Sequence, residues 1–181
     1  LGVQPIVDLK DECGNLVNGS EVVTLSLKTD AACTAASAGA LGITTNPVTP
    51  SGGQATFAGL TLAKAETAYL KAEATGFTSA CSSAVVVNTG AKHHLGVGTA
   101  PSATGTAGTN LATQPVIEVQ DSQNNKVNVA DAVTLASFSD SACTIPLTGG
   151  FTATTNPLAA VAGAATFAGV KWTLASTFYV K

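Results

Sequence analysis

Apolar and polar residues alternate with period two along most of the chain. In residues 4–10 one face carries Pro5, Val7 and Leu9 and the other carries Asp8 and Lys10, which is the spacing of a half-buried strand. Residues 21–28 repeat the pattern with Val23, Leu25 and Leu27 inward, and Asp11 to Asn15 between them reads as a turn. Further strands are predicted at 54–60 around Phe57, at 67–74 with Ala68, Leu70 and Ala72 inward, and at 82–88. Helical spacing is absent, and Gly, Asn, Asp and Pro punctuate the chain every ~8 to 12 residues, so the pattern predicts antiparallel sheets packed as a sandwich.

The pattern also repeats. A shift of 110 positions lays residues 1–71 on 111–181 without a gap, and 29 of the 71 pairs are identical. Thr44-Thr45-Asn46-Pro47 recurs as Thr154-Thr155-Asn156-Pro157, and Ala55-Thr56-Phe57-Ala58-Gly59 recurs as Ala165-Thr166-Phe167-Ala168-Gly169. A period of this length is too long for a solenoid unit and fits one small sandwich with its own core. Residues 72–110 occur once, and the composition shifts at Asn88-Thr89-Gly90. The predicted domains are therefore 1–90 and 91–181, the first without a counterpart of 91–110 and the second without a counterpart of 72–90. Each sandwich is expected to be incomplete at its chain end. Residues 91–110 carry Gly96, Gly98, Pro101 and Gly105 and read as a linker passing into a weak edge strand. Leu1 to Pro5 already alternate like a strand with no basic head region, so the true N-terminus is expected elsewhere.

The run Ala112-Thr113-Gln114-Pro115-Val116-Ile117-Glu118-Val119-Gln120-Asp121, then Asn125 and Val127, then Gly163 to Gly169, resembles bacterial immunoglobulin-like repeats of large surface proteins, related to invasin and intimin stalks. The resemblance covers nearly the whole chain. It implies a seven-stranded sandwich used as a spacer or adhesive stalk outside the cell. Its motifs are strand and turn signatures, so they carry over no binding residue.

Composition narrows the field. The 181 residues are enough for two small domains, and 45% hydrophobic content with a net charge of -3 leaves enough apolar surface to offset chain entropy. Eight Lys and Arg residues in no patch exclude an electrostatic footprint for nucleic acid. Apolar runs such as Ala84 to Val87 fall far short of the ~20 residues that span a bilayer.

Four cysteines in such a chain suggest disulfides, and no paired Cys-x-x-Cys spacing points to zinc or redox chemistry. Cys33 has a counterpart in Cys143, whereas Cys13 is replaced by Gln123. The favoured bridge is Cys33 with Cys81, closing 48 residues (81 minus 33), for which chain entropy suggests about 3 to 4 kcal/mol. The rival is Cys13 with Cys81, because a meander would bring the first turn and the loop before the last strand to one end. In the first pairing Cys143 is orphaned, its mate falling at position 191.

Candidate chemistry is sparse. His93 and His94 are the only histidines, and as neighbours on a strand they are expected to face opposite ways and not to converge. Asp8, Asp11 and Glu12, with Glu118 and Asp121, offer oxygens for Ca²⁺ but read better as solvated turn acids. Gly96-Val97-Gly98 lacks the third glycine of a phosphate cradle. Asn18-Gly19-Ser20 matches a glycosylation sequon that its counterpart Asn128-Val129-Ala130 does not share. Trp172, Tyr69 and Tyr179 would suit sugar stacking on one exposed face, although Leu62 replaces Trp172 in the first copy. Lys71 and Lys181 are remote candidates for isopeptide links to a buried Asn.

The expectation is an all-β, non-enzymatic pair of tandem immunoglobulin-like antiparallel sandwiches with no cofactor, extracellular or at a cell surface. Its role is a structural or adhesive repeat module, a spacer stalk or fibre building block partnered by neighbouring repeats. The alternatives are a carbohydrate-binding accessory module that meets a host or surface glycan, and a filament subunit completed by strand addition.

Overall fold

A computed structural model describes residues 2–181. Its described residues contain no helix and fold into short antiparallel strands, all-β and sandwich-like. The chain divides into two compact units, Leu1–Asn88 and Thr89–Lys181. The second begins two residues before the boundary predicted at 91, because the Gly90 N–H donates to the Asp121 carboxylate at 2.8 Å and ties that residue to the second unit.

In the first unit the strands are β1 (Ile6–Asp8), β2 (Thr24–Lys28), β3 (Leu41–Gly42), β4 (Gln54–Thr56), β5 (Thr61–Leu62), β6 (Thr67–Glu73), β7 (Ala80–Cys81) and β8 (Val85–Val86). β1 pairs with β4, β3 with β5, and β6 with β2, β7 and β8. Alternation puts Val23, Leu25, Leu27, Ala68, Leu70 and Ala72 into one core around Phe57 and Leu60. Each of the larger aliphatics is worth about 1.5 to 3 kcal/mol when fully buried, so the period-two pattern itself selects the register.

The second unit holds β9 (His94–Thr99), β10 (Val116–Gln120), β11 (Ala132–Val133), β12 (Ser137–Phe138), β13 (Phe151–Thr152), β14 (Leu158–Ala159), β15 (Ala164–Thr166), β16 (Lys171–Trp172) and β17 (Tyr179–Val180). Its separate core gathers Val119, Val133, Leu135, Ala165, Phe167 and Val170. The ladders match those of the first unit 110 positions on. Ile6 faces Thr56 as Val116 faces Thr166, Leu41 faces Leu62 as Phe151 faces Trp172, and Leu27 faces Leu70 as Ser137 faces Val180.

The shared residues do the same work in both units. Asn46 donates to the Leu25 carbonyl and accepts its N–H, both at 2.9 Å, and Asn156 does so with Leu135 at 2.8 and 2.9 Å. The amide thus stands in for one more strand residue where Pro47 or Pro157 has no N–H to give. Gln4 accepts the Leu60 N–H and Gln114 the Val170 N–H, each at 2.7 Å. Gly59 and Gly169 lie at φ of +68° and +65°, against Thr44 and Thr154 in space that a Cβ would occupy.

Two expectations change. Within 91–110 the expected edge strand comes first, not after a linker: β9 lies at the edge of its sheet and pairs with β10 from His94 opposite Gln120 to Thr99 opposite Val116. Glycine reads as linker in sequence, but here the side chains of Gln120 and Glu118 lie across Gly96 and Gly98, filling the room of the missing Cβ atoms. The strand predicted at 82–88 is instead β7 followed by β8, with a slip of one residue in their register on β6. Ser82 marks the slip, its Oγ accepting the Leu70 N–H at 2.9 Å as a bulge requires.

Candidate functional site

The loop before the disulfide is built by Asp30, whose carboxylate accepts the N–H groups of Ala32, Thr34 and Ala35 at 3.0, 3.0 and 2.6 Å. Within that loop Cys33 takes a φ of 53° and is buried. Its sulfur is bonded to Cys81 on β7, with the Cα atoms 6.0 Å apart. Cys13 sits exposed in the Asp11 turn as a free thiol, so the rival pairing does not form. Asp140 builds the same loop with Thr144 and Ile145 and holds Cys143 at the same φ of 53°, there as a free, half-buried thiol.

The turn acids are already satisfied by donors. Asp11 accepts the N–H groups of Cys13 and Asn15 at 2.9 and 2.8 Å, and the Asn15 amide above all lowers its pKa. Asp121 accepts from Gly90, Gln123 and Asn125 at 2.8, 2.8 and 2.9 Å and is only 2% exposed. These N–H groups, Gly90 first, hold its pKa far below the ordinary 3.8. Asp8 pairs with Gln54 and Lys10, Glu118 is 3.9 Å from Lys126, and Glu12 is exposed. Among the described residues no three acids, histidines or cysteines come together as a metal site.

The histidines do converge, contrary to expectation. His93 Nδ1 lies 3.2 Å from His94 Nδ1 with the rings edge-on, and His94 Nε2 is 3.0 Å from Asn124 Oδ1. Strict alternation governs only residues inside a ladder, and β9 starts at His94, so His93 is free to turn back on its neighbour.

The aromatics weighed for sugar stacking are divided between the two units. Trp172 is 4% exposed, stacks on Phe178 at 5.1 Å and spends its N–H on Ser176 at 2.9 Å. Tyr69 belongs to the first unit, and Tyr179 lies on β17 of the second. Lys71 Nζ pairs with Glu73 at 2.6 Å, Lys181 is exposed, and the Asn46 amide is committed to Leu25. Asn18 is exposed.

A concavity lies beside β1. Phe57 and Leu9 donate to Pro5 and Gly53 at 3.1 and 2.8 Å, so the odd-numbered residues of this segment bond towards β4. Alternation then turns the N–H and C=O groups of Ile6, Asp8 and Lys10 to the opposite edge, where no strand pairs among the described residues. A cleft of ≈ 620 Å³ opens there, floored by Val7, Leu9, Val23, Ala72, Phe77 and Ala80 and bordered by Asp11, Glu12 and Glu73.

No protein-family model, curated protein or solved structure matches the chain. Its function is therefore read from its own geometry.

Proposed function

We propose that this chain is a structural segment of a secreted or cell-surface protein, two immunoglobulin-like sandwiches in series that act as a spacer. The observation that carries this reading is the recurrence of whole ladders 110 positions apart around two separate cores. Duplicating a complete core adds length and leaves chemistry unchanged. The disulfide between Cys33 and Cys81 supports an oxidising, extracellular setting, where such bonds persist. Asp11 and Asp121 hold their own turns together, which is the economy of a scaffold.

Single-molecule pulling from the two ends tests the reading. Two separate unfolding events are expected, one per unit. The bridge withholds 48 residues from the first event, so reductant should lengthen that event by about 170 Å at ~3.6 Å per extended residue and leave the other unchanged. One cooperative event covering the whole chain would refute it.

A further inference from the structure

We propose that the open edge of β1 is a strand-acceptor site, and that its occupant is an extended segment with the β9 pattern, in which aliphatic residues set opposite Val7 and Leu9 alternate with glycine. This deepens the spacer reading, on which it rests, by naming the contact through which one unit takes up a neighbouring repeat.

The second unit shows the occupied form of the same site. There β10, the counterpart of β1, is bonded on both sides, to β15 and to β9. The His93 N–H donates to the Gln120 carbonyl at 2.7 Å, and Gln120 corresponds to Lys10, whose carbonyl faces the cleft. Leu95 lies opposite Val119 and Val97 opposite Ile117. Their counterparts are Leu9 and Val7, both on the cleft floor. An incoming strand in that register sets its aliphatic pair over Val7 and Leu9 and towards Phe77 and Ala80. Its glycines face Asp8 and Lys10, just as Gly96 and Gly98 face Glu118 and Gln120.

Exposure differs along the site: Leu95 and Val97 are themselves 56% and 65% exposed in the second unit, and the change falls at the start of β1. Ile6 is 57% exposed, whereas Val116, its counterpart beside β9, is half-buried. A second copy of this chain is a poor donor, because its single segment of this pattern is already paired in its own unit. The fitting source is a further segment of the β9 type. Strand addition of this kind draws affinity from main-chain bonds and specificity from alternate side chains.

The test is the full chain carrying a second copy of residues 91–110 joined directly ahead of residue 1, the linkage by which residue 110 meets 111. Tethering makes docking intramolecular. Hydrogen exchange at the Ile6 and Asp8 amides should slow by at least about tenfold relative to the parent chain. The same extension with L95D and V97D in the added copy should lose that protection. Unchanged exchange at Ile6 and Asp8, or equal protection from the Asp-bearing copy, would overturn the proposal. Two pulling events with unchanged exchange would remove the acceptor site and leave the spacer reading; protection with a single event would do the reverse.

Discussion

Asp121 concentrates more of the second unit's polar bonding than any acid beside it. Three backbone N–H groups close on one carboxylate, which favours the charged form. With the folded-state pKa pushed below the ordinary 3.8, its contribution is fully present above that value and is lost as pH falls towards the depressed one. Asp121→Asn should therefore weaken the second unit at neutral pH and flatten the pH dependence of its unfolding between about pH 5 and about pH 2. Denaturant melts at several pH values would show it, and parallel curves for the two proteins would contradict it. Asp11, its counterpart in the first unit, is exposed and among the described residues takes its bonds from its own turn, Cys13 and Asn15, so the same substitution there should move the curves less. Such roles leave little mark in sequence. Asp11 and Asp121 were readable as turn residues, but the bond from Gly90 to Asp121 spans 31 positions and has no local signal. Asn46 and Asn156 advertised themselves only by recurring, because a side chain that completes a ladder looks like any loop asparagine.

At the scale of elements, period two was enough to place the core wherever a strand runs long enough to show it. β6, with seven residues, declares its inward face. Phe57 was legible as the centre of a strand over 54–60, although alternation stops at it, Gly59 being exposed and Leu60 buried. β3 and β13 have two residues each and cannot display a period. β9 was expected as a weak edge strand within 91–110 but not placed: it is six residues long, and glycine at alternate positions imitates a linker until Glu118 and Gln120 are seen lying over it. The His93–His94 contact was misjudged because strand alternation was applied one residue beyond the strand. The aromatic plug behind β15 gives a direct check on the independence of the cores. Phe167 is almost wholly buried, and Phe167→Ala should cost about 3 to 5 kcal/mol in the second unit's transition alone. Calorimetry resolving both transitions would decide it, and a fall in both would mean the cores are coupled.

For the whole molecule, the disulfide among the described residues lies within the first unit. The first carries the Cys33–Cys81 bridge, while Cys143 in the second is unpaired. Closing a loop of 48 residues stabilises chiefly by restricting the unfolded chain, by about 3 to 4 kcal/mol. Mild reduction should thus lower the melting transition of the first unit by an amount of that order and leave the second in place. Equal shifts on adding reductant would refute the assignment of the bond to one unit.

The coincidence of the ladders has a genetic consequence. Because the ladders of one unit find their equivalents 110 residues on, a crossover between the two coding segments at a matched codon joins strands that already fit. Unequal recombination of this kind would remove or insert a full period and leave the strand pairings within each unit matched.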